Sequence, residues 1–204
     1  PRFAYDPATG EPKGLLIEEQ RTNLLTYSEQ FDDASWSKLD SIISPNSEQS
    51  PDGSLSADKL IANTNDTNHR IAKSGGTIGD LVTFSVYAKA GEYSSIRIVN
   101  SSSSRGRVSV DLLTGQTNGS GTFYVSSGGE EIGNGWYRCW LTINNSDTNA
   151  FQISVEDSFG NINFAGDGTS GIYIWGAQLE AGSFPTSYIP TSGSQVTRTA
   201  DIVA

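Results

Sequence analysis

Residues Gly171 to Thr191 read GIYIWGAQLEAGSFPTSYIPT, and the first part of that stretch alternates. Ile172 and Ile174 fall on one side of an extended chain, Tyr173 and Trp175 on the other, the period-2 pattern of a strand with one buried face. Gly176 ends the alternation, and Gly182, Pro185 and Pro190 then exclude a helix or a central strand. The expected structure is a strand that leaves its sheet and continues as an extended, proline-pinned tail. Phe184 and Tyr188 make that tail too apolar to stand in water, so it is expected to pack back across the body of the fold. Its expected partner is the opposite end of the chain, where Gly14-Leu15-Leu16-Ile17 and Asn23-Leu24-Leu25 are apolar runs.

The same period recurs throughout. In Leu81–Ala90, Val82, Phe84, Val86 and Ala88 share one face, while Thr83, Ser85, Tyr87 and Lys89 share the other. Ser95–Asn100 places Ile96 and Ile98 inward and Arg97 outward. In Trp136–Ile143 the apolar set is Cys139, Leu141 and Ile143, so Arg138 and Trp140 face away from it. Phe151–Glu156 turns Ile153 and Val155 inward, Gln152 and Glu156 outward. Shorter strands are expected in Arg2–Glu11, Leu15–Ile17, Asn23–Tyr27, Ala57–Ala62, His69–Ala72, Arg107–Leu112 and Gly121–Val125. Turn chemistry marks Asp6–Gly10, Thr114-Gly115 and Asn118-Gly119; loops are expected at Pro45–Gly53, Asn63–Asn68, Ser101–Ser104 and Asp157–Ser170. Glu29–Trp36 reads as a helical turn or loop anchored by Phe31 and Trp36. No segment sustains a 3.6-residue period.

These readings make the chain all-β, a jelly-roll-like antiparallel β-sandwich whose N- and C-terminal extensions pack together at one end. One domain is expected over 1–204, with an N-terminal hairpin or extension at 1–28, the sandwich body at 29–180 and an extended tail at 181–204. Hydrophobic residues make up 35% and there are 22 glycines, which suits short strands joined by polar turns. The absence of Met, position 1 included, is read as the mark of a piece of something longer.

The formal charge of −10 argues against nucleic acid, whose phosphates need clustered Lys and Arg, and against anionic membrane surfaces. No run approaches the roughly 20 apolar residues of a membrane span. The single cysteine, Cys139, excludes an internal disulfide and a thiolate zinc site, and reads as a small buried hydrophobe. The single histidine, His69, reads as an ordinary loop-edge residue; a Ser-His-Asp triad could be assembled only around it. Neighbouring acids such as Asp32-Asp33 and Glu130-Glu131 point to opposite sides of a strand, whereas a glycosidase needs two carboxyls facing across a cleft at about 5–10 Å. The sequence therefore reads as that of a non-enzyme. The outward residues Tyr87, Lys89, Arg97, Arg138, Trp140, Gln152 and Glu156 would form a mixed aromatic and polar platform if their strands lie side by side in one sheet. Such a platform stacks rings on sugar faces and fixes identity with a few polar contacts. The competing reading has Trp140 covered by a loop or by the tail. Trp36 and Trp175 read as structural.

Three segments also carry a resemblance. RFAYDPATGEPKGLLIEEQRTNLLTYSEQF (Arg2–Phe31), GNGWYRC (Gly133–Cys139) and IYIWGAQLEAGSFPTSYIPTSGSQVTRTAD (Ile172–Asp201) resemble bacteriophage and prophage tail or tail-fibre proteins. The body between them is similar to the β-sandwich carbohydrate-binding modules attached to glycoside hydrolases. The resemblance implies a virion tail or prophage-encoded setting within a larger protein of unspecified oligomeric state, with a polysaccharide or cell-surface glycan as partner. It also implies a structural calcium, for which Asp32 and Asp33 are the oxygen ligands on offer. The carboxylates that would complete the site in the last strand are replaced by Trp175-Gly176-Ala177-Gln178. A purely structural or oligomerisation role, or a part in a polysaccharide-degrading tail enzyme, are the alternatives.

Overall fold

A computed structural model describes residues 2–5, 9–77, 81–100, 105–144 and 148–202. Among them the chain forms eighteen strands and no helix. The first six are β1 (Arg2–Tyr5), β2 (Pro12–Leu16), β3 (Arg21–Asn23), β4 (Ser37–Leu39), β5 (Ser41–Gln49) and β6 (Leu55–Ala62). Then come β7 (Asp66–Asn68), β8 (Arg70–Thr77), β9 (Leu81–Lys89), β10 (Ser95–Asn100), β11 (Gly106–Asp111) and β12 (Thr117–Ser120). The last are β13 (Tyr124–Gly133), β14 (Trp136–Asn144), β15 (Thr148–Glu156), β16 (Asn163–Ala165), β17 (Gly171–Ala181) and β18 (Val196–Arg198). Asp6–Ala8 of the first expected turn and the expected loop Ser101–Ser104 lie outside the described residues.

Two six-stranded antiparallel sheets form a sandwich, as the alternation predicts. The first has the order β12-β11-β10-β15-β8-β4 and the second β13-β14-β9-β17-β6-β5. Their inner faces carry the apolar sets read from the sequence: Val82, Phe84, Val86 and Ala88 from β9 meet Ile96 and Ile98 from β10 and Ile153 and Val155 from β15, all excluded from solvent. Phe84 and Phe151 join the sheets directly, with parallel rings and centroids 4.9 Å apart. Burying such side chains is the main stabilising contribution, about 25 cal/mol per Å² of apolar surface.

Three local expectations are corrected. Gly176 does not end its strand; it sits at φ +62° in a bulge between Trp175 and Gln178, and β17 runs on to Ala181. A bulge inserts extra residues into one strand without releasing it from its neighbour, and glycine takes the left-handed conformation at no steric cost. Pro45 lies within β5 rather than in a loop, because β5 is an edge strand whose pairing with β6 is irregular between Ser44 and Glu48. Asn118-Gly119 is inside β12, paired with Val108 and Ser109, rather than at a turn.

The two ends of the chain meet, and they meet on the second sheet. β3 pairs with β18, and Leu24 N–H donates to Leu179 O at 2.8 Å. Beyond Ala181 the tail is held from below by side chains of β17. Glu180 accepts from Thr186 N at 2.9 Å and from Thr186 Oγ1 at 2.7 Å, and Gln178 Oε1 accepts from Ile189 N at 2.7 Å. The amino-terminal segment adds Glu18, which accepts from Ser187 N at 2.7 Å and pairs with Arg198 at 3.0 Å. Tyr188 packs against Trp175 at 4.7 Å and Tyr87 at 6.1 Å, so the tail covers an aromatic cluster on the outer face of this sheet.

Candidate functional site

The single outward platform does not form, because its residues lie on two sheets. Tyr87 and Lys89 are on β9, Arg138 and Trp140 on β14, both in the second sheet; Arg97 on β10 and Gln152 and Glu156 on β15 belong to the first. Outer faces of opposing sheets point in opposite directions, so the two groups cannot share one ligand.

The first-sheet group is largely sealed. Arg97 and Glu156 are buried; Arg97 Nε donates to Glu156 Oε1 at 2.7 Å, and its guanidinium also reaches Gly160 O at 2.6 Å. Glu156 accepts further from Ser95 Oγ at 2.5 Å, Ser109 Oγ at 2.7 Å and Gly160 N at 3.0 Å. The segment after β15 folds back over these side chains. Gln152 is half-buried on the same face.

The second-sheet group borders an open groove of about 440 Å³. Tyr87, Glu130, Ile132 and Arg138 line it from the sheet, Tyr5, Lys13 and Leu16 from the β1–β2 hairpin, and Glu18, Pro185 and Ser187 from the two crossing terminal segments. Cross-strand register explains the sheet side, since Glu130 pairs with Arg138 and Arg138 with Tyr87 in one row. Arg138 is both lining and anchor: its guanidinium lies 5.4 Å over the Tyr87 ring and donates to Thr186 O at 2.5 Å and Ser85 Oγ at 3.2 Å. Burial holds the Tyr87 phenol above its usual range, so it stays a neutral hydrogen-bonding group. Tyr5, at 58% exposure, is the aromatic side chain on the open side. Lys89, on the same face, pairs with Glu48 at 3.3 Å. Trp140 is half-buried, one outward step along β14 from Arg138, and its ring fills the space that a side chain at Gly128 would take.

A second hollow of about 480 Å³ adjoins the groove and shares Leu16, Glu18 and Pro185 with it, adding Ile17 and Phe184. Tyr5, Lys13, Glu18 and Glu130 were not among the expected site residues. Glu130 stands opposite Arg138 in register, a signal that pairing β13 with β14 would have supplied. The hairpin residues gave none, because nothing local says where a detached hairpin will lie.

Two carboxylates of the described residues, Glu18 and Glu130, border the groove. That of Glu18 is committed to Ser187 and Arg198. His69 lies in the gap between β7 and β8, a loop edge as expected, but is buried there: its Nδ1 lies 2.5 Å from Asp40 O and its Nε2 2.8 Å from Phe164 O. Burial pushes the Cys139 thiol well above its usual range, which suits its reading as an apolar core residue.

The donor set at Asp32 and Asp33 does not fit the expected calcium. Asp33 Oδ1 accepts from Ser35 N at 2.8 Å, Asp32 is exposed, and the carbonyls of both residues receive the Lys38 ammonium. Among the described residues no three His, Cys, Asp or Glu side chains converge as metal ligands. Calcium needs six to eight oxygens.

No protein-family profile matches the chain, and no curated protein does. A solved structure with some likeness is that of the CBM22-1–GH10 modules of Clostridium thermocellum endo-1,4-β-D-xylanase 10B in complex with xylohexaose. It shares 13% identity at a TM-score of 0.44, over 84% of this chain; the chain spans 30% of that one.

Proposed function

We propose that the chain is a non-catalytic glycan-binding domain whose ligand lies in the groove between the second sheet, the β1–β2 hairpin and the crossing terminal segments. The observation that carries this reading is the composition of the groove. An exposed aromatic ring (Tyr5), a second, largely buried ring (Tyr87) and charged groups of both signs (Lys13, Arg138, Glu18, Glu130) line one open depression. Rings offer an apolar surface to sugar C–H faces, and a few fixed polar groups give direction. Trp140 extends the same face. Lys89, Arg97, Gln152 and Glu156 are not part of the proposed site. The setting we propose is a tail or tail-fibre protein of a phage or prophage, after the resemblance of the terminal segments. Several copies would there turn weak single sites into firm adsorption to a polysaccharide or cell-surface glycan.

A screen of bacterial and algal polysaccharides by affinity electrophoresis, run on the wild type, Tyr5→Ala and Trp140→Ala, tests the reading. Retention that falls in Tyr5→Ala assigns the groove. Retention that falls only in Trp140→Ala moves the contact to the β13–β14 edge. A folded wild type that binds nothing in a broad panel favours the second reading, an assembly role. That second reading rests on the apolar side chains Phe3, Tyr5, Leu15 and Ile17, which the hairpin leaves exposed.

A further inference from the structure

The turn between Phe31 and Lys38 is built around a cation. Lys38 Nζ donates to Asp32 O at 3.0 Å, to Asp33 O at 2.7 Å and to Trp36 O at 3.0 Å. An ammonium has three N–H donors and no acceptor, so three carbonyl oxygens saturate it. The spacings are those of N–H···O hydrogen bonds, about 2.7–3.2 Å, and longer than the roughly 2.3–2.6 Å of calcium–oxygen contacts.

The turn that carries these carbonyls is also held by contacts that do not involve Lys38. Asp58 accepts from Phe31 N at 3.0 Å, Trp36 Nε1 donates to Tyr27 O at 2.9 Å, and Lys73 Nζ reaches Ser35 Oγ at 2.5 Å. Lys73 also lies about 5 Å over the rings of Tyr27 and Trp36, at 5.2 and 5.1 Å. The carboxylates of Asp32 and Asp33 add negative charge to the same turn. The backbone that bears the oxygens facing Lys38 is therefore tied to the rest of the fold on either side of them.

We propose that this turn is a cation site whose resident cation is the chain's own Lys38. Emptied of that side chain, the cage takes a small alkylammonium ion from solution, which needs only the three acceptors present. The proposal is independent of what the groove binds.

The test is thermal melting. Wild-type Tm is expected to stay within about 1 °C when millimolar calcium or EDTA is added, because a ligand shifts stability only through a site it can fill. Lys38→Met keeps the aliphatic stem without the donors and is expected to lose roughly 4–8 °C. Lys38→Ala is expected to regain part of its loss with ethylammonium and none with calcium, and Lys38→Met, whose side chain fills the space, is expected to regain none with either. Should Lys38→Ala not fold alone, its refolding yield with and without ethylammonium is read instead. A wild-type Tm that rises with calcium and falls with EDTA would overturn the proposal. So would a Lys38→Met variant that melts with the wild type, or a Lys38→Ala variant indifferent to ethylammonium.

Discussion

Arg97 Nε lies 2.7 Å from Glu156 Oε1 with both side chains buried, on a sheet face where the strand pattern alone would leave them in water. Two serines and the backbone of Gly160 complete the shell around the carboxylate. Removing one member of such a pair leaves a buried charge unpaired, at about 3–5 kcal/mol. Glu156→Ala is therefore expected to lower Tm by roughly 10 °C. The double change Arg97→Met with Glu156→Leu should cost less than Glu156→Ala, because neither charge is left behind. Both outcomes are read by calorimetry, and a Glu156→Ala variant as stable as the wild type would show that the pair carries nothing.

The indole of Trp140 rests on Gly128, its partner on β13, so closely that a methyl at Gly128 would lie 2.0 Å from Cζ2. Gly128→Ala must therefore push the ring off its seat, and overpacking of this kind costs about 1–3 kcal/mol. If the ring stacks on sugar, retention should weaken five- to tenfold, about 1.0–1.4 kcal/mol, while acrylamide quenching of tryptophan rises. Quenching that rises with retention unchanged would remove Trp140 from the binding surface.

The fold was legible wherever one residue in two had to be buried. Val82–Ala88, Ile96–Ile98 and Cys139–Ile143 each declared an inner face, and the structure sets the first and third side by side in one sheet, facing the second across the core. What alternation cannot state is which strands share a sheet, since partners are set by contacts distant in sequence. Tyr87 and Arg138 turned out to be neighbours in register, whereas Arg97 and Glu156 went to the other side of the sandwich. Nor does outward mean exposed. The Gly-rich segment after Glu156 folds back far enough for Gly160 to bond both members of the pair, and the tail covers Trp175. The meeting of the two ends was legible because proline and aromatics together require an extended chain that is also covered.

Asp58 faces inward from β6, accepting from Phe31 N and Asn46 N at 3.0 Å each, and burial pushes its carboxyl up to about 6. Its value in the unfolded chain is near 3.8. Between those two values the folded chain binds more protons than the unfolded one, so this group's contribution to stability falls as pH rises from about 4 to about 6. Below pH 4 both states are protonated and the contribution is flat; above 6 the penalty is complete, on the order of 2–3 kcal/mol. Asp58→Asn cannot ionise, so the wild type should lose Tm relative to it through that window. A Tm difference that stays constant from pH 4 to pH 6.5 would exclude the titration.

Asn23 ties three segments with one side chain. Its Nδ2 donates to Ala177 O at 3.1 Å and Ile189 O at 2.9 Å, and its Oδ1 accepts from Leu25 N and Leu179 N at 3.2 Å each. Both hydrogens and both lone pairs are used, and the residue is fully buried. Asn23→Ala would strand four buried backbone groups beside the bulge at Gly176, each costing about 1–3 kcal/mol if no water enters. Some water will enter, so a total of roughly 3–5 kcal/mol is expected, a Tm loss near 10–15 °C. The tail should suffer first, because Ile189 O loses its partner in a segment that no strand pairing holds, whereas Ala177 and Leu179 stay in β17. Limited proteolysis should then cut between Ser183 and Val196 in Asn23→Ala under conditions that leave the wild type whole. Since Pro185 and Ser187 line the groove, glycan retention should fall in step with tail cleavage. Retention that survives tail cleavage would place the ligand on the hairpin and sheet alone.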